Sequence, residues 1–248
     1  MGLLDKISLK GFKMKKIESI SFGGAGLNYV YYAGVLQKLI KEDLLSDKLI
    51  AHGSSAGSFV ALATINHVDG VQSIPDALAV SAKYFDDISS FNKLPFKTNL
   101  TSILNQIISS WLSADKDAYK RLSGRLHISI SNPFKGGRII NEFSSNNEIL
   151  SAIHSSCYIP YLLDIPELKW ENNFLNFDGC FTKNTIKFDE STLVVGLPLF
   201  DKKEKFDISP SKNLGILSCI YPIFSRQYAA IYGLGYNDAE IWYQNKIK

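Results

Sequence analysis

The chain is poor in the residues that would signal metal, redox or extracellular chemistry. Its 248 residues include three cysteines, Cys157, Cys180 and Cys219. An odd number without metal-ligand spacing reads as reduced thiols in a cytoplasmic protein that needs no metal and no cofactor. Histidine is also scarce: His52, His67, His127 and His154 are the whole set, and none stands in the last 94 residues. A hydrolase triad running Ser, Asp, His along the chain is therefore not expected. No apolar stretch approaches the ~18 residues that span a bilayer. The start, Met1-Gly2-Leu3-Leu4-Asp5-Lys6, holds no apolar run of signal-peptide length, and Lys6 stands where a myristoylation signal wants Ser or Thr. The net charge of +3 is too small to suggest a nucleic-acid partner.

That small charge is unevenly placed. Residues 1–16 carry five lysines against Asp5, interleaved with Leu3, Leu4, Ile7, Leu9, Phe12 and Met14. Such a basic amphipathic segment could lie on an anionic membrane surface; a solvated terminus is the alternative. Residues 17–248 are expected to form a single domain, since a hydrophobic content of 46% and a charged content of 21% describe an ordinary globular core without a linker.

Two stretches repeat one theme. Ile17 to Phe22 alternates as a strand, ends at Gly23-Gly24-Ala25-Gly26, and is followed by helical apolar spacing from Tyr29 to Leu44. Leu49-Ile50-Ala51 then reads as the end of a buried strand, and Phe59 to Ile65 as a helix apolar on all faces. Two strand–glycine–helix units in succession call for a parallel sheet covered by helices. Further along, Ile103 to Leu112 forms a wide apolar helical stripe, more in keeping with core than with the lining of an acyl-chain pocket. Leu126–Ile130 and Arg138–Phe143 read as paired strands, Asn146–Ser155 as a helix capped by Asn146, and Leu175–Gly179 and Thr192–Gly196 as strands. Helical spacing over Tyr228–Trp242 is expected to break at Gly233 and Gly235.

Between the second strand and its helix, Gly53-Ser54-Ser55-Ala56-Gly57 fits the Gly-x-Ser-x-Gly pattern of a nucleophile elbow. A sharp turn there strains Ser55 and exposes its oxygen, and the chain passes so close to itself that Gly53 and Gly57 must lack side chains. A tightly packed turn without chemistry is the alternative. Gly24, Ala25 and Gly26 could aim successive backbone N–H groups at one oxyanion. A phosphate or dinucleotide loop fits less well, for there is no P-loop Lys-Ser/Thr and Tyr29 replaces the last glycine of the fingerprint. With histidine scarce, the remaining base candidate is a carboxylate. Asp178-Gly179 closes a strand, which would bring Asp178 to the same sheet edge as the glycine turns, although Asp-Gly alone is usually just a turn.

Taken in order, Ser21-Phe22-Gly23-Gly24-Ala25-Gly26, Tyr31 to Val35, Gly53-Ser54-Ser55-Ala56-Gly57, Arg125 to Ser129, Ser156-Cys157-Tyr158-Ile159-Pro160, Asp178-Gly179, Asp207 to Pro210 and Gly235 to Ala239 resemble the patatin-like phospholipase family, in its adiponutrin and adipose triglyceride lipase branch. The resemblance implies a three-layer α/β/α sandwich with a mostly parallel central sheet. It implies a Ser55–Asp178 dyad, an oxyanion hole from Gly24, Ala25 and Gly26, and hydrolysis of acyl esters in phospholipids or acylglycerols at a membrane or lipid-droplet surface. A catalytically silent lipid- or protein-binding module and a transacylase remain as alternatives. Three departures stand out: Ala25 replaces a glycine, Asn28 and Tyr29 replace the residues that usually end the motif, and Cys180 follows Asp178-Gly179.

Overall fold

Alternation along Ile17–Phe22 gives a strand with two unlike faces, and the sheet inherits that asymmetry. The computed structural model describes residues 14–74, 99–113, 115–159, 176–198, 205–215, 217–219 and 225–247. All but the last three residues of the basic segment 1–16, most of a helix expected over 74–87 and a loop expected over 91–98 lie outside them.

Strand β1 (Ile17–Phe22) leads through the first glycine turn into α1 (Tyr29–Lys41), β2 (Leu45–Ser54) into α2 (Ala56–Val68). Then come α3 (Asn99–Ser113), α4 (Ala118–Leu122), the hairpin β3 (Leu126–Asn132) and β4 (Gly136–Ile140), α5 (Asn146–Cys157), β5 (Phe177–Asp178), β6 (Leu193–Val195) and α6 (Ser225–Lys246). The sheet order is β4-β3-β2-β1-β6, with β5 also on β3. Strands β3, β2, β1 and β6 are parallel, while β4 and β5 run antiparallel to β3. This is an α/β fold with a mostly parallel, mixed sheet flanked by helices, as expected.

The face carrying Ile20, Phe22, Ala51 and Gly53 meets α1 and α2. The Phe22 ring lies 5.4 Å from that of Tyr32 on α1, and a Cβ on Gly53 would stand 2.1 Å from the Gly57 carbonyl oxygen on α2. The apolar stripe on α3 is core: Leu104, Ile107, Ile108, Trp111 and Leu112 are buried, with Trp111 packed near Phe59. The opposite face is polar, and Gly179–Thr192 is strapped across it. Ser131 Oγ is 2.8 Å from Thr182 Oγ1, the Ile186 N–H donates to Ser21 Oγ, and Ser19 donates to Thr192 Oγ1 at 3.0 Å. These hydroxyls are matched, as burial requires, whereas Ser54 Oγ at the end of β2 is buried without a hydrogen-bond partner among the described residues.

Several details differ from expectation. Helix α1 stops at Lys41, because β2 begins at Leu45, earlier than its apolar end suggests. Strand β4 ends at Ile140, not Phe143. The cap of α5 is Ser145, whose hydroxyl accepts from the Glu148 N–H. Asn146 instead accepts from the Tyr119 N–H and donates to the Leu112 and Asp115 carbonyls, joining α3, α4 and α5. Helix α6 runs unbroken through Gly233 and Gly235. A Cβ on Gly235 would sit 2.0 Å from the Tyr31 carbonyl, and one on Gly34 would sit 2.0 Å from that of Tyr232. These glycines let α1 and α6 cross in contact. The crossing is fastened by Tyr31 donating to Asp238 at 3.0 Å and by the buried Lys38 between Glu42 and Glu240.

Candidate active site

The elbow forms as its spacing predicts. Ser55 takes φ 53° and ψ −130°, a conformation that disfavours a residue with a side chain. A Cβ on Gly57 would stand 2.5 Å from the Phe22 carbonyl oxygen, so the turn closes only with glycine there. Ser54 ends β2 fully buried, and Ala56 opens α2. Ser55 is recessed, only 9% exposed, where the spacing suggests a more open oxygen. Two neighbours hold its backbone. The Ser55 N–H donates to Ser156 Oγ at 2.9 Å, and Ser58 Oγ donates to the Ser55 carbonyl at 2.6 Å.

Asp178 meets Ser55 through the sheet register. Strand β2 uses one edge of β3 as far as Ser54, opposite Ser129. There β2 turns away, and β5 takes the vacated edge, with Asp178 opposite Ile130. The two strands thus abut end to end, Ser55 at one tip and Asp178 at the other. Asp178 reaches the expected edge, but on a two-residue antiparallel strand rather than at the end of a parallel one. Its N–H donates to the Tyr158 carbonyl at 2.7 Å, which fastens β5 to the end of α5. Gly179 packs directly on the Ser129 carbonyl.

The Asp178 carboxyl is fully buried, and burial pushes it up to about 6, against the pull of the Ser55 hydroxyl and the Cys180 N–H. Oδ1 accepts from the Cys180 N–H at 2.9 Å, whereas Oδ2 is buried without a partner in regular hydrogen-bond geometry among the described residues. The Ser55 hydroxyl lowers the carboxyl's proton affinity, although the pair does not complete a regular hydrogen bond. Such loose contacts are common in unliganded sites. Burial also pushes the Cys157 and Cys180 thiols up, so both stay protonated beside Asp178.

The glycine turn lies against this pair. A Cβ on Gly24 would be 3.4 Å from Ser55 Cβ and 3.0 Å from Cys180 Cβ. Ala25 has φ −138°, a negative value, so it avoids the left-handed region that would call for glycine. The three amides are not equivalent, however. The Gly24 N–H already donates to Asn184 Oδ1 at 2.7 Å. Asn28 turns away, donating to Ser218 Oγ and Cys219 Sγ.

Sequence reasoning missed three residues here. Asn184 holds the glycine turn, and Ser156 holds the Ser55 backbone. His52, three residues before Ser55, bridges Ser21 Oγ at 2.8 Å and Ser129 Oγ at 2.7 Å on the polar face. Burial lowers it to about 3, so it is neutral and fully engaged as a cross-strand tie. The alternation of Ser19, Ser21, Ser129 and Ser131 was the available signal for that tie. His127 packs edge-on against Phe188.

The family model described as "Patatin-like phospholipase" matches residues 20–186. Patatin-like phospholipase domain-containing protein 2 of Homo sapiens is 26% identical over 210 residues, which cover 80% of this chain and 37% of that protein. Omega-hydroxyceramide transacylase of Mus musculus is 28% identical over 173 residues, covering 66% of this chain and 27% of that protein. The chain therefore spans well under half the length of these relatives. Among solved structures, VipD from Legionella pneumophila shares the fold, with a TM-score of 0.53 and 12% identity over 98% of this chain and 72% of that one.

Proposed function

The chain belongs to the patatin-like phospholipase family, and on that premise we propose that it is a lipid acyl hydrolase acting through Ser55 and Asp178. The observation that carries this reading is the end-to-end meeting of β2 and β5 on one edge of β3, which sets a strained serine beside a buried carboxylate with a partnerless oxygen. Ser55 Oγ attacks the ester carbonyl carbon while its proton passes to Asp178. The oxygen of the tetrahedral intermediate takes the negative charge and faces the Ala25 and Gly26 amides, with the α1 side of the turn behind them. Collapse expels the alcohol, which takes the proton from Asp178 and leaves an acyl-Ser55. Water then attacks, again giving its proton to Asp178; collapse breaks the acyl–Oγ bond, Asp178 returns that proton to Ser55 Oγ, and the fatty acid leaves. A raised carboxyl suits this exchange, because its affinity for a proton is closer to neutral pH than that of an ordinary aspartate.

A second reading has the acyl-enzyme yield to an alcohol instead of water, as the name of the transacylase relative suggests. One assay separates them. Triacylglycerol, phospholipid and lysophospholipid are each incubated with the wild type and with Ser55→Ala, with and without an acceptor alcohol. Free fatty acid released by the wild type alone supports hydrolysis. New ester formed only with acceptor present supports transfer. Equal products from both proteins would remove Ser55 from the chemistry.

A further inference from the structure

The β3–β4 hairpin rises from the edge of the sheet that holds Ser55 and Asp178. Ile130 is level with Asp178, one residue past the Ser54–Ser129 pair, and β3 runs on past it to Asn132. The tip at Pro133-Phe134-Lys135 thus stands roughly 10 Å beyond the dyad along the strand direction. It is a built turn. The buried Asn132 accepts at Oδ1 from the N–H groups of Phe134 and Lys135, at 3.0 and 2.9 Å, and Gly136 takes φ 72°. This holds Phe134 out with 80% of its surface exposed, the most exposed large apolar residue among those described.

The strap's first turn supplies a second aromatic. Phe181, 56% exposed, follows Asp178 by three residues and packs near Phe177. Thr182 bonds Ser131 on β3, and Lys183 lies against Gly137 in β4, so the two segments form one surface. Lys135, Arg138 and Lys183 stand there, and no carboxylate occurs from Ser129 to Asn141 or from Gly179 to Phe188.

We infer that this rim, Phe134 and Phe181 among Lys135, Arg138 and Lys183, is the surface that seats the protein on an anionic phospholipid bilayer, with the mouth of the site facing the lipid. The inference deepens the hydrolase reading and rests on it for what the mouth would receive. A protruding tip with an aromatic point fits a bilayer, which yields around a wedge and offers phosphates to the cations beside it. A protein partner would need a matching pocket.

The test uses the full chain and sedimented vesicles of phosphatidylcholine, with or without phosphatidylserine. The wild type is expected to bind the phosphatidylserine vesicles more strongly, and less so as salt rises. Phe134→Ser should lower partitioning roughly tenfold or more, and Lys135→Gln about fivefold. Both variants should turn over a soluble p-nitrophenyl ester as the wild type does while losing hydrolysis of vesicle lipid in proportion to binding. In Phe134→Trp, the added emission should be quenched by lipids with brominated acyl chains. Binding indifferent to Phe134 and Lys135, or lost only on deletion of residues 1–13, overturns the inference, as does an unquenched Trp at position 134. A wild type that binds through Phe134 yet hydrolyses no ester supports the rim and sinks the hydrolase reading instead.

Discussion

The first two parallel strands end in turns of similar composition at the same sheet edge, yet they place their positive φ on different residues. After β1 it falls on Gly26, at 52°, where no side chain objects. After β2 it falls on Ser55, at 53°, where a Cβ must be forced into it at a cost of roughly 1–3 kcal/mol. Both turns are pinned from a distance, the first by Asn184 and the second by Ser156. The relaxed turn offers backbone amides and the strained one offers a side chain. The proposed acyl transfer needs one of each, and on that proposal the chain accepts instability at the turn that carries Ser55.

The most severe test of that contrast is Ser55→Ala. It should fold normally by circular dichroism and lose roughly a thousandfold or more of its soluble-ester turnover, since Ser54, the turn's other hydroxyl, is fully buried at the end of β2. Retained turnover would mean that the strained turn is only a packing device.

Asp178→Asn should be nearly as inactive, whereas His127→Gln and His154→Gln should keep substantial activity. The wild type's kcat/KM should fall as pH drops through about 6, because Asp178 must be ionised to accept the proton. Stability moves the other way. With its folded value raised above that of an ordinary aspartate, Asp178 stabilises the fold fully only below about pH 4, and that contribution is lost as pH rises through about 6. The asparagine variant should therefore gain on the wild type in urea unfolding at pH 8 relative to pH 4, by up to about 3 kcal/mol. A pH-rate limb that stays put in a folded, active variant would shift the base elsewhere.

A smaller effect is expected in the first turn. Asn184→Ala frees the Gly24 amide and loosens the loop, so kcat should fall roughly tenfold with KM little changed, less than the loss of an oxyanion donor outright. An unaltered kcat would make Asn184 a bystander. The smallest effect sharpens the comparison most. Ser55→Gly relieves the strain and should raise stability by about 1 kcal/mol once glycine's entropy is counted. Gly26→Ala should do the reverse, and more strongly, for its Cβ would meet the Cys219 carbonyl oxygen at 2.2 Å. If both variants unfold in urea like the wild type, the two turns do not differ in stored strain.

What the sequence determined by itself is local. The period-two alternation of Ile17–Phe22, the apolar run over Phe59–Ile65 and the Gly-x-Ser-x-Gly spacing each constrain backbone within a few residues. The two strand–turn–helix units and the sharp turn at Ser55 were therefore legible, and so was the hairpin around Gly136 and Gly137. Tertiary structure decided whatever depends on which distant segment arrives. Ser145 and Asn146 are both good caps, and only the approach of α3 and α4 assigns Asn146 elsewhere. Gly233 and Gly235 would weaken an isolated helix, but Gly235 lets α6 seat against α1 and the helix runs through both. Asp178 was placed at the right edge for an incomplete reason, because the antiparallel insertion of β5 follows from β2 vacating an edge of β3. The ties of Asn184 to Gly24 and Ser156 to Ser55 join residues 160 and 101 positions apart. A hydrogen bond over such distances leaves no periodic trace in a single chain, since its partner can be any polar residue that folding brings within 3 Å.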